Sequence, residues 1–355
     1  MGNFHILIDY EIINIGHIVK KTGKILIGFL FSIVFLYLAF RKIEFSLMMR
    51  SLMGGKYMIA LPAIGAIFIS HFVRAIRWQY FLEPVKKVAL SRLFSALMVG
   101  YFGNSVLPAH LGEFFRAFVI GRKEKIPASS VFATIVLERI IDLFTLLVIM
   151  VAVLIIYPFP DWLKDGIYIL CLITVLLFLF LIFLKKYSAT ANRVFDSLLK
   201  FIPERFSLKI KLMLKSFTDG IRAFKRKRDY AIVIIHTLII WACYTFVLYI
   251  GFYIFDLVSL FNLSILSATV LMVITTIGVI IPTSPGYIGT YHLLSQMGLE
   301  LLGVPRSLGL TYAIAVHAIN FFPVIVVGLI YTWNEGINLA KISKSRELKK
   351  FILEG

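Results

Sequence analysis

"GNSVLPAHLGEFFRA", residues 103–117, gathers Asn104, Pro108, His110, Gly112, Glu113 and Arg116 in a chain whose neighbouring segments carry almost no polar groups. Pro108 and Gly112 break a helix there, and a broken backbone frees amide and carbonyl groups that hydrocarbon cannot satisfy. The stretch therefore calls for surroundings made of protein or water. Outward from it, the 355 residues are 60% hydrophobic and 15% aromatic, with 16% charged residues and a mean hydropathy of +0.91. That profile excludes a soluble domain and predicts an all-α polytopic membrane protein.

The net charge of +18 would suggest nucleic acid in a soluble protein. Here the Lys and Arg residues fill the gaps between apolar runs, where they orient helices against anionic lipid, and no nucleic-acid partner is expected. Cys171 and Cys243 both lie inside apolar segments and form neither a disulfide framework nor a metal spacing. No metal site and no cofactor are expected.

Six apolar runs are long enough to cross hydrocarbon as helices: 25–40, 57–73, 130–157, 166–184, 230–255 and 308–333. The first is followed by "RKIEF" with no small-residue cleavage site, so it reads as a retained span. Residues 185–229 hold thirteen Lys or Arg against four Asp or Glu, which assigns this linker to the cytoplasm. Within it, Phe206, Ile210, Met213, Phe217, Ile221 and Phe224 recur at helical spacing opposite Lys209, Lys211, Lys215 and Arg222, the pattern of a helix lying on the inner leaflet. The tail 334–355 is also basic, and both termini are expected in the cytoplasm, with the protein multi-pass in the plasma membrane.

Residues 93–107 suffice only for half a crossing, and basic residues on both sides favour the cytoplasmic face, so a re-entrant hairpin is expected. A second dip, 265–304, is broken by "PTSPGYIG", which contains Pro282, Pro285, Gly286 and Gly289. Pro108, Gly112, Pro127, Arg139 and Asp142 are separated by 4, 15, 12 and 3 positions; Pro285, Gly289, Pro305, His317 and Asn320 by 4, 16, 12 and 3. With one hairpin opening to each side, this predicts an inverted repeat, eight segments in all, with a site where the two breaks meet. The expected organisation is a single membrane domain over 1–355: half-repeats 57–157 and 230–333, the basic linker 185–229 and the tail 334–355.

The chemistry concentrates in Glu113 and Arg116, and in "LERIID", where Glu138 and Asp142 share a helix face beside Arg139. Charges inside a bilayer cost about 2.5–3.5 kcal/mol each on insertion scales, so such residues face the protein interior. Two readings stand. Glu113 with Arg139, or Arg116 with Glu138, form ion pairs that only lock segments together; alternatively Arg116 and Arg139 bind a lipid phosphate while Glu113 and Asp142 orient them or take a cationic head group. His110 and His292, at the two breaks, either titrate in function or hydrogen-bond a freed carbonyl. His317 and Asn320 join the candidate substrate-binding set through the repeat, and Asn104 through the first break. "RAIRW", residues 74–78, reads as a cytoplasmic helix end whose arginines meet lipid phosphates. No glycine-rich phosphate loop, paired acidic metal motif or nucleophile–base spacing is present, so no catalytic residue is assigned. A lipid enzyme acting through Glu113 and His110 stays as an alternative.

"RAIRW", "NSVLPAHLGEFFR", "IPASSVFATIVLERIID", "PTSPGYIG" and "GVPRSLGLTYAIAVHAINF", in that order, resemble the transmembrane flippase-like domain of lysylphosphatidylglycerol synthase, the UPF0104 family. The resemblance implies a helical, homodimeric domain with two re-entrant segments that moves a phospholipid between leaflets. Its polar motif falls on Asn104, Pro108, Gly112, Glu113, Arg116, Glu138, Arg139 and Asp142. His110 stands where Arg is frequent and His292 where Glu is frequent, so head-group preference does not carry over. Only a short tail follows Trp333, so aminoacylation is not expected. The expected function is lipid translocation of a phospholipid or a polyprenyl-phosphate lipid; the alternative is an accessory protein or enzyme for polyprenyl-phosphate-linked sugars.

Overall fold

Every described element is helical, the arrangement in which each backbone amide in hydrocarbon finds a partner within its own segment. The computed structural model describes residues 33–41, 43–106, 111–157, 227–280 and 285–336, with the single positions 169, 172, 175, 176, 179 and 207. The expected span at 166–184 apart from those positions, the first half of the one at 25–40, the surface helix in 185–229, most of the basic tail, and Pro108, His110 and Pro282 lie outside these residues.

Residues 33–40 are helical, and the helices described from end to end are α1 (Phe45–Met53), α2 (Ala60–Leu82), α3 (Leu90–Val106), α4 (Gly112–Glu124), α5 (Ala128–Ile156), α6 (Lys227–Ile254), α7 (Leu257–Phe261), α8 (Ile265–Ile280), α9 (Thr290–Leu301) and α10 (Arg306–Asn334). Among the described residues, four stretches are long and apolar enough to cross a membrane: Tyr57–Leu82, Ala128–Ile156, Arg228–Ile254 and Arg306–Asn334. They correspond to four of the six expected crossings. The other long helices come in pairs, α3 with α4 and α8 with α9. At 17, 13, 16 and 12 residues, each reaches only about 18–26 Å against roughly 30 Å of hydrocarbon.

The two halves share one plan. In each, a spanning helix (α2 or α6) precedes a short helical pair, and a 29-residue spanning helix (α5 or α10) follows. Both 29-residue helices start from a capping proline, Pro127 with ψ 126° and Pro305 with ψ 144°. Its ring suits a helix start, where no intrahelical amide bond is lost.

Close backbone approach builds the first pair. A Cβ on Gly112 would run into the Gly100 carbonyl oxygen, so α3 and α4 cross at a distance only glycine allows. The second pair meets through side chains, where a Cβ on Gly278 would run into Cδ1 of Leu294. The halves then interlock: α3 packs on α10 and α8 on α5, while α2 and α6 form the central contact. Gly328 of α10 comes close enough to α3 that a Cβ would be 2.7 Å from the Met98 carbonyl oxygen.

One boundary needs correction. The span expected to stop at 73 continues as helix to Leu82, which puts Arg74 and Arg77 inside it. Trp78 and Leu82 are fully buried, so this part of α2 is core and not an interfacial end. Arginines after an apolar run read as a membrane edge, but carboxylates on a neighbouring helix allow them to remain inside.

Candidate functional site

Helices α2, α4 and α5 bring seven ionisable side chains together. Glu138 is fully buried and accepts from Arg116 Nη2 at 2.8 Å and from Arg74 Nη1 at 2.6 Å. Arg74 Nη1 also reaches Asp142 Oδ2 at 2.7 Å, and Arg77 Nη2 reaches Asp142 Oδ1 at 2.7 Å. Glu138 and Asp142, one helical turn apart, thus offer a single carboxylate face to both arginines of α2, as their spacing predicted. Neutral groups take two further donors: Arg74 Nη2 donates to the Tyr244 hydroxyl at 2.9 Å and Arg77 Nη1 to Thr237 Oγ1 at 2.8 Å, both on α6, while Nε of each arginine is buried without a hydrogen-bond partner. Arg116 lies over the Trp78 ring at 3.6 Å, and Trp78 Nε1 donates to Thr134 Oγ1.

Arg139 differs from these. Its side chain is 44% exposed, and it pairs with Glu113 at 3.0 Å, reaching Glu138 at 3.5 Å and Asp142 at 3.8 Å only at longer range. Glu113 Oε2 is buried without a hydrogen-bond partner. Both ion pairs anticipated from the sequence, Glu113 with Arg139 and Arg116 with Glu138, are therefore formed. Arg74, Arg77, Arg116 and Arg139 face Glu113, Glu138 and Asp142, four positive charges against three negative.

The sequence reading missed Arg74 and Arg77 as members of this cluster, together with Trp78, Thr237 and Tyr244. The available signal was two arginines three positions apart, followed by tryptophan, in a run that remains apolar on both sides. Asn104 acts locally, since its Oδ1 accepts the Gly112 amide at 2.8 Å and closes the α3–α4 pair. Arg116, at 1% exposure, is engaged within the protein, which leaves Arg139 as the more open of the two arginines expected to meet phosphate.

The second break brings together a different group. His292 on α9 and His317 on α10 meet at a tilt of 50° with ring centroids 4.8 Å apart, flanked by Tyr291 and Phe321. Gly286 adopts φ +66°, and a Cβ there would meet the Phe321 ring at 2.5 Å. Asn320 donates to the Val316 carbonyl of its own helix at 3.0 Å. The turn Pro285–Tyr287 packs on α3, and Tyr287 is within electrostatic reach of Arg139 and Glu113. The described part of the second turn thus lies beside the first helical pair.

At one end of the bundle, Glu124 of α4 binds Arg92 at 2.6 Å and Lys86 at 3.0 Å, while Glu335 after α10 binds Lys123 and accepts from Ser95 Oγ at 2.7 Å. The hydrogen bond from Arg92 holds the Glu124 carboxyl below its usual range. At Glu335 burial pushes upward, but the hydrogen bonds from Lys123 and Ser95 outweigh it. A separate apolar groove of about 500 Å³, lined by Leu52, Tyr57, Ile314, Ala318, Phe322 and Pro323 among others, contains none of the charged cluster.

Comparison with known proteins adds a family match. The family described as the lysylphosphatidylglycerol synthase TM region matches residues 25–328. A UPF0104 membrane protein of Methanocaldococcus jannaschii is 23% identical over 88% of this chain and 94% of its own length. Another, from Pyrococcus horikoshii, is 24% identical over 89% and 97%. The glycosyltransferase AglD of Haloferax volcanii is 33% identical over 24% of this chain and 14% of its own. No solved structure matches.

Proposed function

The chain belongs to the lysylphosphatidylglycerol synthase TM region family, and from that premise we propose that it is a lipid translocase for a phospholipid or another lipid-phosphate head group. The two short helical pairs act as re-entrant hairpins of an inverted repeat, opening to opposite sides, with the head group passing between them while the acyl chains remain in the bilayer. One observation carries the reading: a buried cluster with one positive charge in excess leaves Arg139 half exposed, paired with Glu113 in the first turn of α4 and within electrostatic reach of Tyr287 in the turn before α9. A monoanionic phosphate neutralises that excess, and the planar fork of an arginine matches its oxygens. Arg74, Arg77 and Arg116 act behind it by fixing the carboxylates that orient Arg139.

The test is inter-leaflet movement of a labelled phospholipid in vesicles containing the purified protein. Arg139→Ala lowers the rate by at least about tenfold, the worth of one charged hydrogen bond. Because the carboxylate partners of Arg139 are largely buried, helical content and Tm of the variant are measured alongside, which separates a loss of transport from a loss of folding. An unchanged rate removes Arg139 from the mechanism.

A second reading follows from the partial match to a glycosyltransferase: an accessory protein or enzyme acting on polyprenyl-phosphate-linked sugars. Sugar transfer by the purified protein alone, with no lipid movement, selects it over translocation.

A further inference from the structure

The second break is held by imidazoles. The Gly289 amide, which precedes α9, donates to His292 Nδ1 at 3.4 Å in a buried setting, and His317 hydrogen-bonds the Gly286 backbone. Gly286 and Gly289 both have positive φ, +66° and +95°, so the chain reverses in a conformation that ordinary residues avoid. Two side chains from different helices therefore fasten the two strained points of one turn. In the first half, Phe115 of α4 and Arg139 of α5 occupy the positions that correspond to His292 and His317.

We propose that the His292–His317 pair is a proton-binding site that releases this turn. To accept from Gly289, Nδ1 of His292 must carry a lone pair, with the ring proton on Nε2. A proton arriving on Nδ1 occupies that lone pair, turns the acceptor into a donor and leaves the Gly289 amide without its partner. The resulting imidazolium sits 4.8 Å, ring to ring, from His317 and 6.1 Å from Tyr291. Like charges at that spacing allow the pair a single proton. The titratable neighbour is Tyr291 on α9, which also acts on Tyr312 of α10; among the described residues no acidic side chain of α1, α2, α3, α6, α8, α9 or α10 acts on either ring. The charge therefore has no counter-ion in place and is relieved by opening the turn toward water.

This inference stands apart from lipid translocation, because it is read without any substrate. Amide hydrogen exchange of the full-length protein in lipid nanodiscs is followed from about pH 8 to about pH 5, where an imidazole titrates, with rates corrected for the intrinsic pH dependence of exchange. Protection across Gly289–Leu293 is expected to fall about tenfold as the proton binds, the equivalent of one lost hydrogen bond, while protection in α5 holds. His292→Asn keeps an acceptor without a titrating group, so its protection is expected to be flat with pH, and His292→Gln serves as a second such variant. Equal protection of the wild type at both ends of the range overturns the proposal, as does a wild-type response in either variant. The wild-type measurement decides the matter even if a variant does not fold.

Discussion

The two halves carry the same helical plan with opposite chemistry. In the first, α3 and α4 touch backbone to backbone at Gly100 and Gly112, and α5 presents Glu138 and Asp142 to the arginines of α2 and Arg139 to Glu113 of α4. In the second, α8 and α9 meet through Leu294 at Gly278, and the positions matching Arg139 and Asp142 hold His317 and Asn320. Twelve residues after its capping proline, one 29-residue helix places a guanidinium and the other an imidazole. Helix lengths and breaks thus define a frame that is indifferent to what it carries. The residue at a given depth decides whether that half holds a fixed charge or a group that can change its charge.

The largest expected effect comes from Glu138→Gln, which leaves Arg74 and Arg116 without their shared carboxylate. The loss is about 3–5 kcal/mol, since removing one partner strands buried charge, and it reads out as poor yield and a lowered Tm. His317→Gln, its counterpart in the second half, should cost less than about 1.5 kcal/mol, as a polar replacement of similar size. Similar losses for the two would abolish the contrast between the halves.

Next come the hairpin contacts. Gly112→Ala drives a Cβ into a backbone oxygen that cannot move aside, costing about 3 kcal/mol or more, while Gly278→Ala meets the end of a leucine and costs about 1 kcal/mol. Thermal unfolding of both variants under the same conditions checks the order. The reverse order would mean that α3 and α4 are not the more tightly joined pair.

The smallest effect is at the end of the bundle. Because Glu124 has a lowered pKa when folded, its contribution is present above the unfolded value of about 4.3 and disappears as the pH falls through the folded value. Its lysine and arginine partners are half exposed, which limits the contribution to about 1 kcal/mol. Unfolding midpoints of the wild type and Glu124→Gln should therefore differ at neutral pH and converge in acid. A constant gap across that range would assign the effect to packing.

Several parts of this arrangement could be read from the sequence. Proline and glycine spacing marked both breaks, apolar length identified the four described spans, and the turn-to-turn register of Glu138 and Asp142 predicted a shared face. Arg74 and Arg77 were misread because the rule for flanking charges counts residues along one segment, whereas their partners, Glu138 and Asp142, lie more than sixty positions away. Asn104 looked like a ligand group, since a polar side chain at a break is equally suited to a head group or to the Gly112 amide eight residues on.

By itself, the sequence determined that this chain is a helical membrane protein with two interrupted segments, because hydrocarbon length and backbone satisfaction are properties of single stretches. Only the tertiary structure decided which charges meet, that Arg116 is enclosed while Arg139 stays open, and that two histidines from separate helices share one turn. Electrostatic pairing depends on distances across helices, and no spacing along the chain encodes those distances.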